Sequence, residues 1–131
     1  MRKLVIIIPT LNEAEGIEHT LCEVFNSTKN VNAEISILVI DGGSTDGTPE
    51  IAQRLGAKVI TQRGRGKGRA LIQALKLIRS LPVDFIAILD GDFSYPAGYI
   101  PKMISILERY KHIGMVTGKR IYDNSASSFI Y

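Results

Sequence analysis

The chain alternates between two hydrophobic rhythms. Leu4-Val5-Ile6-Ile7-Ile8 is an unbroken run of branched aliphatic residues, the pattern of a strand buried on both faces, and Pro9 is expected to stop it. Asn12 then reads as a helix cap, with Glu13 and Glu15 in the first turn. Ile17, Leu21, Val24 and Phe25 follow at helical spacing and make one apolar stripe. A second strand is predicted over Ile35 to Ile40. The turn-rich segment Asp41 to Gly47 follows it, then a helix opened by Thr48 and Pro49 and stopped by Gly56. Ala57 to Thr61 reads as a short third strand, Arg63 to Gly68 as a loop, and Leu71, Ala74, Leu75 and Ile78 as one side of a third helix. Phe85 to Leu89 is a fourth strand, Asp90 to Pro96 a loop, and Ile100, Met103, Ile104 and Leu107 mark a fourth helix with Pro101 in its first turn. Gly114 to Gly118 is a candidate fifth strand. Strands and helices that alternate this way, with short loops, predict an α/β fold with a mainly parallel sheet and right-handed crossovers.

In such sheets ligands bind beyond the carboxyl ends of the strands. The loops with the most distinctive chemistry all lie there: Pro9 to Glu13, Asp41 to Asp46, Arg63 to Gly68 and Asp90 to Asp92. Asp90-Gly91-Asp92 would send two carboxylates to opposite faces if the strand simply continued, but Gly91 lets the chain bend so that both converge. Two hard oxygen donors at a loop tip suit Mg²⁺ or Mn²⁺ together with substrate phosphates; read alone, the same three residues also fit a solvated turn. Asp41 ends a strand beside Gly42 and Gly43, where a carboxylate can accept from a base or a ribose, whereas Asp46 and Thr48 have a sufficient explanation as turn and cap residues. Arg63-Gly64-Arg65-Gly66-Lys67-Gly68-Arg69 alternates glycine with cations. It fits a diphosphate cradle at a helix N-terminus, a solvated loop, or a nucleic-acid contact, and on its own residues these rank equally.

Composition sharpens this picture in three respects. At 131 residues, 45 % hydrophobic and 22 % charged, the chain is sized for one ordinary folded domain. The net charge of +3 is unevenly placed, since no acidic residue occurs between Glu50 and Asp84 while that interval holds Arg54, Lys58, Arg63, Arg65, Lys67, Arg69, Lys76 and Arg79. A basic block beside acidic loops points to an anionic ligand held in one place, together with a metal. The single Cys22 excludes an internal disulfide framework, and with His19 and His112 it leaves no dedicated zinc site and no Ser/His/Asp or Cys/His catalytic set. No apolar run approaches the roughly 20 residues of a spanning helix, and no signal peptide is visible, so the expected location is the cytoplasm.

Four stretches in order, Val5 to Ile17 (VIIIPTLNEAEGI), Val39 to Thr48 (VIDGGSTDGT), Gly66 to Ala70 (GKGRA) and Ile88 to Pro96 (ILDGDFSYP), resemble the family 2 glycosyltransferases of the GT-A fold. Within that family the dolichyl- and polyprenyl-phosphate mannosyl- and glucosyltransferases are the branch they look most like. The resemblance implies a Rossmann-like sheet with helices on both faces, forming the nucleotide-binding part of a GT-A domain. It implies an inverting enzyme that moves a sugar from a UDP- or GDP-linked donor to an acceptor such as a polyprenyl phosphate, with Mg²⁺ or Mn²⁺ as cofactor, no nucleic-acid partner, and peripheral approach to the cytoplasmic face of a membrane. Pro9, Asn12, Glu13 and Gly91 would then lie against the nucleotide-sugar, Asp41 at the base and Lys67 on the diphosphate side. Asp90 and Asp92 would hold ribose and metal, with Asp92 the direct ligand. Val116 to Arg120 (VTGKR) is a weaker match, through which Arg120 would stand near the acceptor phosphate. Gly42 and Ser94 depart from the usual family residues at their positions. Because the family continues well past the position of Tyr131, the chain is expected to be one GT-A type domain truncated after its donor-binding part. The rival reading is a non-catalytic α/β domain that binds anions or nucleic acid through the basic glycine-rich loop.

Overall fold

The computed structural model describes residues 1–94, 96–122 and 127–130, and from residue 120 onward it describes the backbone alone. Two compact units are present, residues 1–100 and residues 101–131.

The first unit is a four-stranded, all-parallel sheet. Strands β1 (Arg2–Thr10), β2 (Ala33–Asp41), β3 (Lys58–Thr61) and β4 (Phe85–Ile88) lie in the order β3-β2-β1-β4. Helices α1 (Ala14–Thr28), α2 (Thr48–Arg54) and α3 (Lys67–Ile78) make the crossovers. Along the central strand, alternate side chains serve opposite faces. Val5 and Ile7 join Leu38 and Ile40 beneath Ala70, Ala74 and Ile78 of α3. Leu4, Ile6 and Ile8 serve the other face, where α1 packs beside α2 and buries Ile17, Leu21 and Val24. The central strand is thus covered on both faces, which is why β1 is apolar without interruption from Leu4 to Ile8. No helix among the described residues is long and apolar enough to cross a membrane.

Pro9 does not end β1. It continues the strand in register with Ile40. The carbonyls of Lys3 and Ile7 accept from Asp84 and Leu89 N–H, so odd-numbered residues of β1 direct their backbone polar groups toward β4. β4 ends at Ile88, so the N–H that Pro9 lacks would have met no ladder partner. Gly56 does stop α2: at φ 98° it closes the helix with paired bonds from its own N–H to Gln53 and from Ala57 N–H to Ala52. Asn12 is not the cap of α1. The helix begins after Glu13, and no side chain of that position caps it.

The second unit holds most of α4 (Ile100–Arg109), which follows a single 3-10 turn at Ala97–Tyr99. It also holds an antiparallel pair, β5 (Lys119–Tyr122) with β6 (Ser127–Ile130). The strand expected over Gly114 to Gly118 is absent. An extended run becomes a strand only where a neighbour supplies hydrogen bonds, and here pairing begins at Lys119.

Candidate active site

Each loop of the site starts where a parallel strand runs out, so the topology gathers four sequence-distant segments at one end of the sheet. Pro9, Glu13, Lys67, Asp90, Gly91 and Asp92 line a single cleft of about 640 Å³, within the usual size range of small-molecule sites. Thr10, Leu11, Gly42, Gln62, Arg65 and Gly66 complete its lining. The cleft has two walls of opposite sign. Glu13, Asp90 and Asp92 form one. Arg65, Lys67 and the N-terminus of α3, whose first turn carries no acidic residue, form the other. Free amides at a helix start attract anions, and Lys67 reaches across to pair with Asp90.

Glu13 reports the field of the acidic wall. Its carboxyl is held above the ordinary value, first by burial and then by the charges of Asp92, Asp90 and Asp46. A site that resists a further negative charge in this way is suited to a cation. Among the described residues no group of three His, Cys, Asp or Glu side chains could hold a metal by itself. Mg²⁺ or Mn²⁺ needs only one or two carboxylates and completes its shell with water and substrate phosphate.

Two predicted residues do not line the cleft but build its wall. Asp41 is 4 % exposed, and its carboxylate is filled from within its own neighbourhood. Oδ1 accepts from the hydroxyls of Thr10 (2.8 Å) and Ser44 (2.6 Å), and Oδ2 from the N–H groups of Gly43 (3.1 Å) and Ser44 (2.8 Å). A nucleotide base could bond Asp41 only by displacing one of these. Asn12 adopts φ 53°, a region asparagine tolerates. From there its side-chain oxygen accepts from Thr45 N–H, while its own N–H donates to the Ser44 hydroxyl. Asp46 and Thr48 do more than serve their own helix. Asp46 Oδ2 accepts from Ala14 N–H and Thr48 Oγ1 accepts from Glu13 N–H, so the second loop caps α1 from 30-odd residues away. The loops after β1 and β2 are therefore latched into one body, and Glu13 is held by that latch.

Three contributors were not legible from motif reading. Gly16 of α1 lies against the backbone of Asp92 so closely that a Cβ would sit 2.7 Å from the Asp92 carbonyl carbon. A glycine inside a strong helical pattern costs about 1 kcal/mol against alanine, and that was the available signal for a close approach. Thr10 supports the site twice, through its bond to Asp41 and through a methyl that would be 2.9 Å from any Cβ at Gly91. Gly91 is thus required by packing, while the sharp bend falls at Phe93, whose φ of 63° is strained for an aromatic residue. Phe93 packs 5.6 Å from the His19 ring. Arg120 lies on β5, and its side chain is outside the described residues.

These carboxyls give opposite pH dependences. Burial pushes Asp41 up, but hydrogen bonds from Ser44, Thr10 and Gly43 outweigh it and leave it below its ordinary value. The Thr48 hydroxyl leads the causes that lower Asp46. Groups depressed in the folded state contribute stability that is present above their unfolded values, about pH 4, and lost as pH falls through the folded ones. Glu13, being raised, favours the fold while protonated and loses that contribution as pH rises through its folded value. A melting series across acid pH should therefore show a fall below about pH 4 that is shallower in Asp41→Ala. At pH 7, Glu13→Gln should melt higher than the parent; an unchanged or lower midpoint would contradict this electrostatic account.

Known proteins match the same region. Glycosyltransferase AglJ of Haloferax volcanii is 40 % identical over 109 residues, covering 82 % of this chain and 34 % of that protein. A dolichyl-phosphate hexose transferase of the same organism is 33 % identical over 118 residues, covering 90 % of this chain and 48 % of that one. The crystal structure of glucosyl-3-phosphoglycerate synthase from Mycobacterium tuberculosis, in complex with Mn²⁺, UDP and glucosyl-3-phosphoglycerate, superposes with a TM-score of 0.64 at 26 % identity. That match covers 81 % of this chain and 39 % of that one. The chain thus spans about a third to a half of the length of these proteins. The family model for Glycosyl transferase family 2 matches residues 5–130, and the chain belongs to that family.

Proposed function

We propose that the cleft binds a nucleotide-diphosphate sugar with Mg²⁺ or Mn²⁺, and that the protein transfers the sugar, with inversion, to a polyprenyl phosphate. The observation that carries this reading is the pairing of an acidic wall with a helix N-terminus across one cleft. A diphosphate needs the basic side, and its metal needs the acidic side. Asp92 and Asp90 would hold the metal, with Glu13 adding to the field that attracts it. The α3 amides, Arg65 and Lys67 would take the diphosphate, and Pro9 and Leu11 would give the base an apolar surface. The chemistry the metal supplies when bound is charge neutralisation on the departing nucleotide diphosphate.

A phosphate-monoester acceptor is already ionised near neutral pH, because its second pKa is about 6. Such a nucleophile does not depend on a general base from the protein. The dolichyl-phosphate hexose transferase among the relatives supports a lipid-phosphate acceptor, whereas the mycobacterial synthase, crystallised with glucosyl-3-phosphoglycerate, represents the alternative of a small phosphorylated acceptor. Pairing of Lys67 with Asp90 inside the cleft argues against the rival in which the glycine-rich loop is a free-standing nucleic-acid footprint.

The test is a transfer assay with UDP- and GDP-linked sugars and Mn²⁺, read by mass spectrometry of the acceptor. The expected product is a glycosylated polyprenyl phosphate. Transfer to 3-phosphoglycerate but not to the lipid phosphate would overturn the acceptor assignment; donor binding without transfer to either would overturn catalysis by this chain.

A further inference from the structure

We infer that the outer face of α3 docks on an anionic lipid bilayer. The inner side of this helix, Ala70, Ala74 and Ile78, is committed to the sheet. At 3.6 residues per turn, the opposite side carries Arg69, Ile72 and Lys76, with Arg79 following at the C-terminal cap. Ile72 is 55 % exposed. Beside it, between α3 and the edge strand β3, lies a second cleft of about 830 Å³. Its apolar walls are Ile60, Ile72 and Leu77, and Arg63, Arg69 and Lys76 stand along it.

Charge and composition identify the occupant. Among the described residues none of Arg63, Arg69, Lys76 or Arg79 has an ion-pair partner. No acidic residue occurs between Glu50 and Asp84 to provide one. A helix face that meets only water gains from mixed signs at i, i+4 spacing, whereas this one presents a single sign interleaved with exposed aliphatic side chains. Single-stranded nucleic acid would use aromatic stacking platforms, and residues 51–83 contain no Phe, Tyr or Trp. An anionic bilayer satisfies both halves of the surface: its headgroups meet the cations, and its interface accepts Ile72 and Leu77. Lys67, whose charge is engaged with Asp90, is not part of this face, so the inference rests on side chains other than those assigned to the donor, and vesicle binding can be read apart from sugar transfer.

The test is co-sedimentation of the chain with phosphatidylcholine vesicles, with and without about one-third phosphatidylglycerol. Binding is expected only to the anionic vesicles and should weaken as salt is raised. Lys76→Glu and Arg79→Glu should each weaken it at least about five-fold, from roughly 1 kcal/mol per basic residue near such a surface. Ile72→Ser should weaken it without changing the salt dependence. All three positions face solvent, so melting curves matching the parent would confirm that the variants fold. Equal binding to neutral vesicles, no binding to anionic ones, indifference to the charge reversals, or tighter binding to a short RNA than to vesicles would each overturn the inference.

Discussion

Replacing Gly16 with alanine should destabilise the protein, although the same change in most helices stabilises. Alanine is favoured over glycine in a helix interior by about 1 kcal/mol, an upper bound for Gly16 in the first turn of α1. Here the new methyl would lie 2.7, 2.8 and 2.9 Å from the carbonyl carbon, Cα and carbonyl oxygen of Asp92. All three are backbone atoms, so no rotamer change relieves the contact. Overpacking of this kind costs about 1–3 kcal/mol, and the upper half of that range outweighs the propensity gain. A net loss of about 1–2 kcal/mol is expected in urea or thermal unfolding. The chain can escape part of this only by moving α1 away from the loop that carries Asp90 and Asp92. Either response disturbs the acidic wall, and displacements of about 1 Å in such a site can cost on the order of 100-fold in function. A Gly16→Ala protein with higher stability and unaltered Mn²⁺-dependent nucleotide binding would show that the approach of Asp92 to the helix is not what shapes the site.

Asp41 gives the second large effect, and two substitutions separate its causes. In Asp41→Ala, the Thr10 and Ser44 hydroxyls and the Gly43 and Ser44 N–H groups all lose their acceptor. Hydrogen bonds to charged groups contribute about 1.5–3 kcal/mol each where measured singly, but four donors on one carboxylate are not additive. A total near 3 kcal/mol is expected, because Thr10 and Asp41 are buried while the Gly43–Ser44 turn is partly solvated. Asp41→Asn should cost about 1 kcal/mol. Its amide oxygen can face the two N–H groups, and its NH₂ can face the two hydroxyls, which rotate to accept. Equal losses in the two variants would mean that the carboxylate charge, rather than the set of acceptors, holds the loop.

How far the sequence could be read depended on whether a feature is local. The four sheet strands and four helices were legible because each carries its own periodicity, and the parallel strand direction, though not the order β3-β2-β1-β4, followed from their alternation. The loops that form the cleft were legible for a related reason: in a parallel sheet, residues just after strands share one end whatever their order. What escaped was set by contacts between distant segments. Pro9 reads as a strand stop unless it is known that β4 ends two residues short of it in register. Asn12 has the residue type of a cap, and the same chemistry suits a left-handed turn, which is what Ser44 and Thr45 select. Asp46 and Thr48 looked self-sufficient at α2 because nothing in their own segment shows that α1 borrows their oxygens. Gly16 and Thr10 act only where α1, β1 and the Asp92 loop meet. The fifth strand was misplaced because a glycine-bounded aliphatic run resembles a strand whether or not a partner exists.

In the function proposed here the acidic wall and the α3 N-terminus act together on one ligand. Titration calorimetry of UDP and GDP into the chain, with and without Mn²⁺, tests it most directly when repeated on Asp92→Ala and Lys67→Ala. Nucleoside-diphosphate binding that requires Mn²⁺ is expected in the parent. The metal requirement should vanish along with most of the affinity in Asp92→Ala, and affinity should fall in Lys67→Ala while the metal requirement remains. Nucleotide binding that is indifferent to Mn²⁺ and unchanged in Asp92→Ala would contradict it.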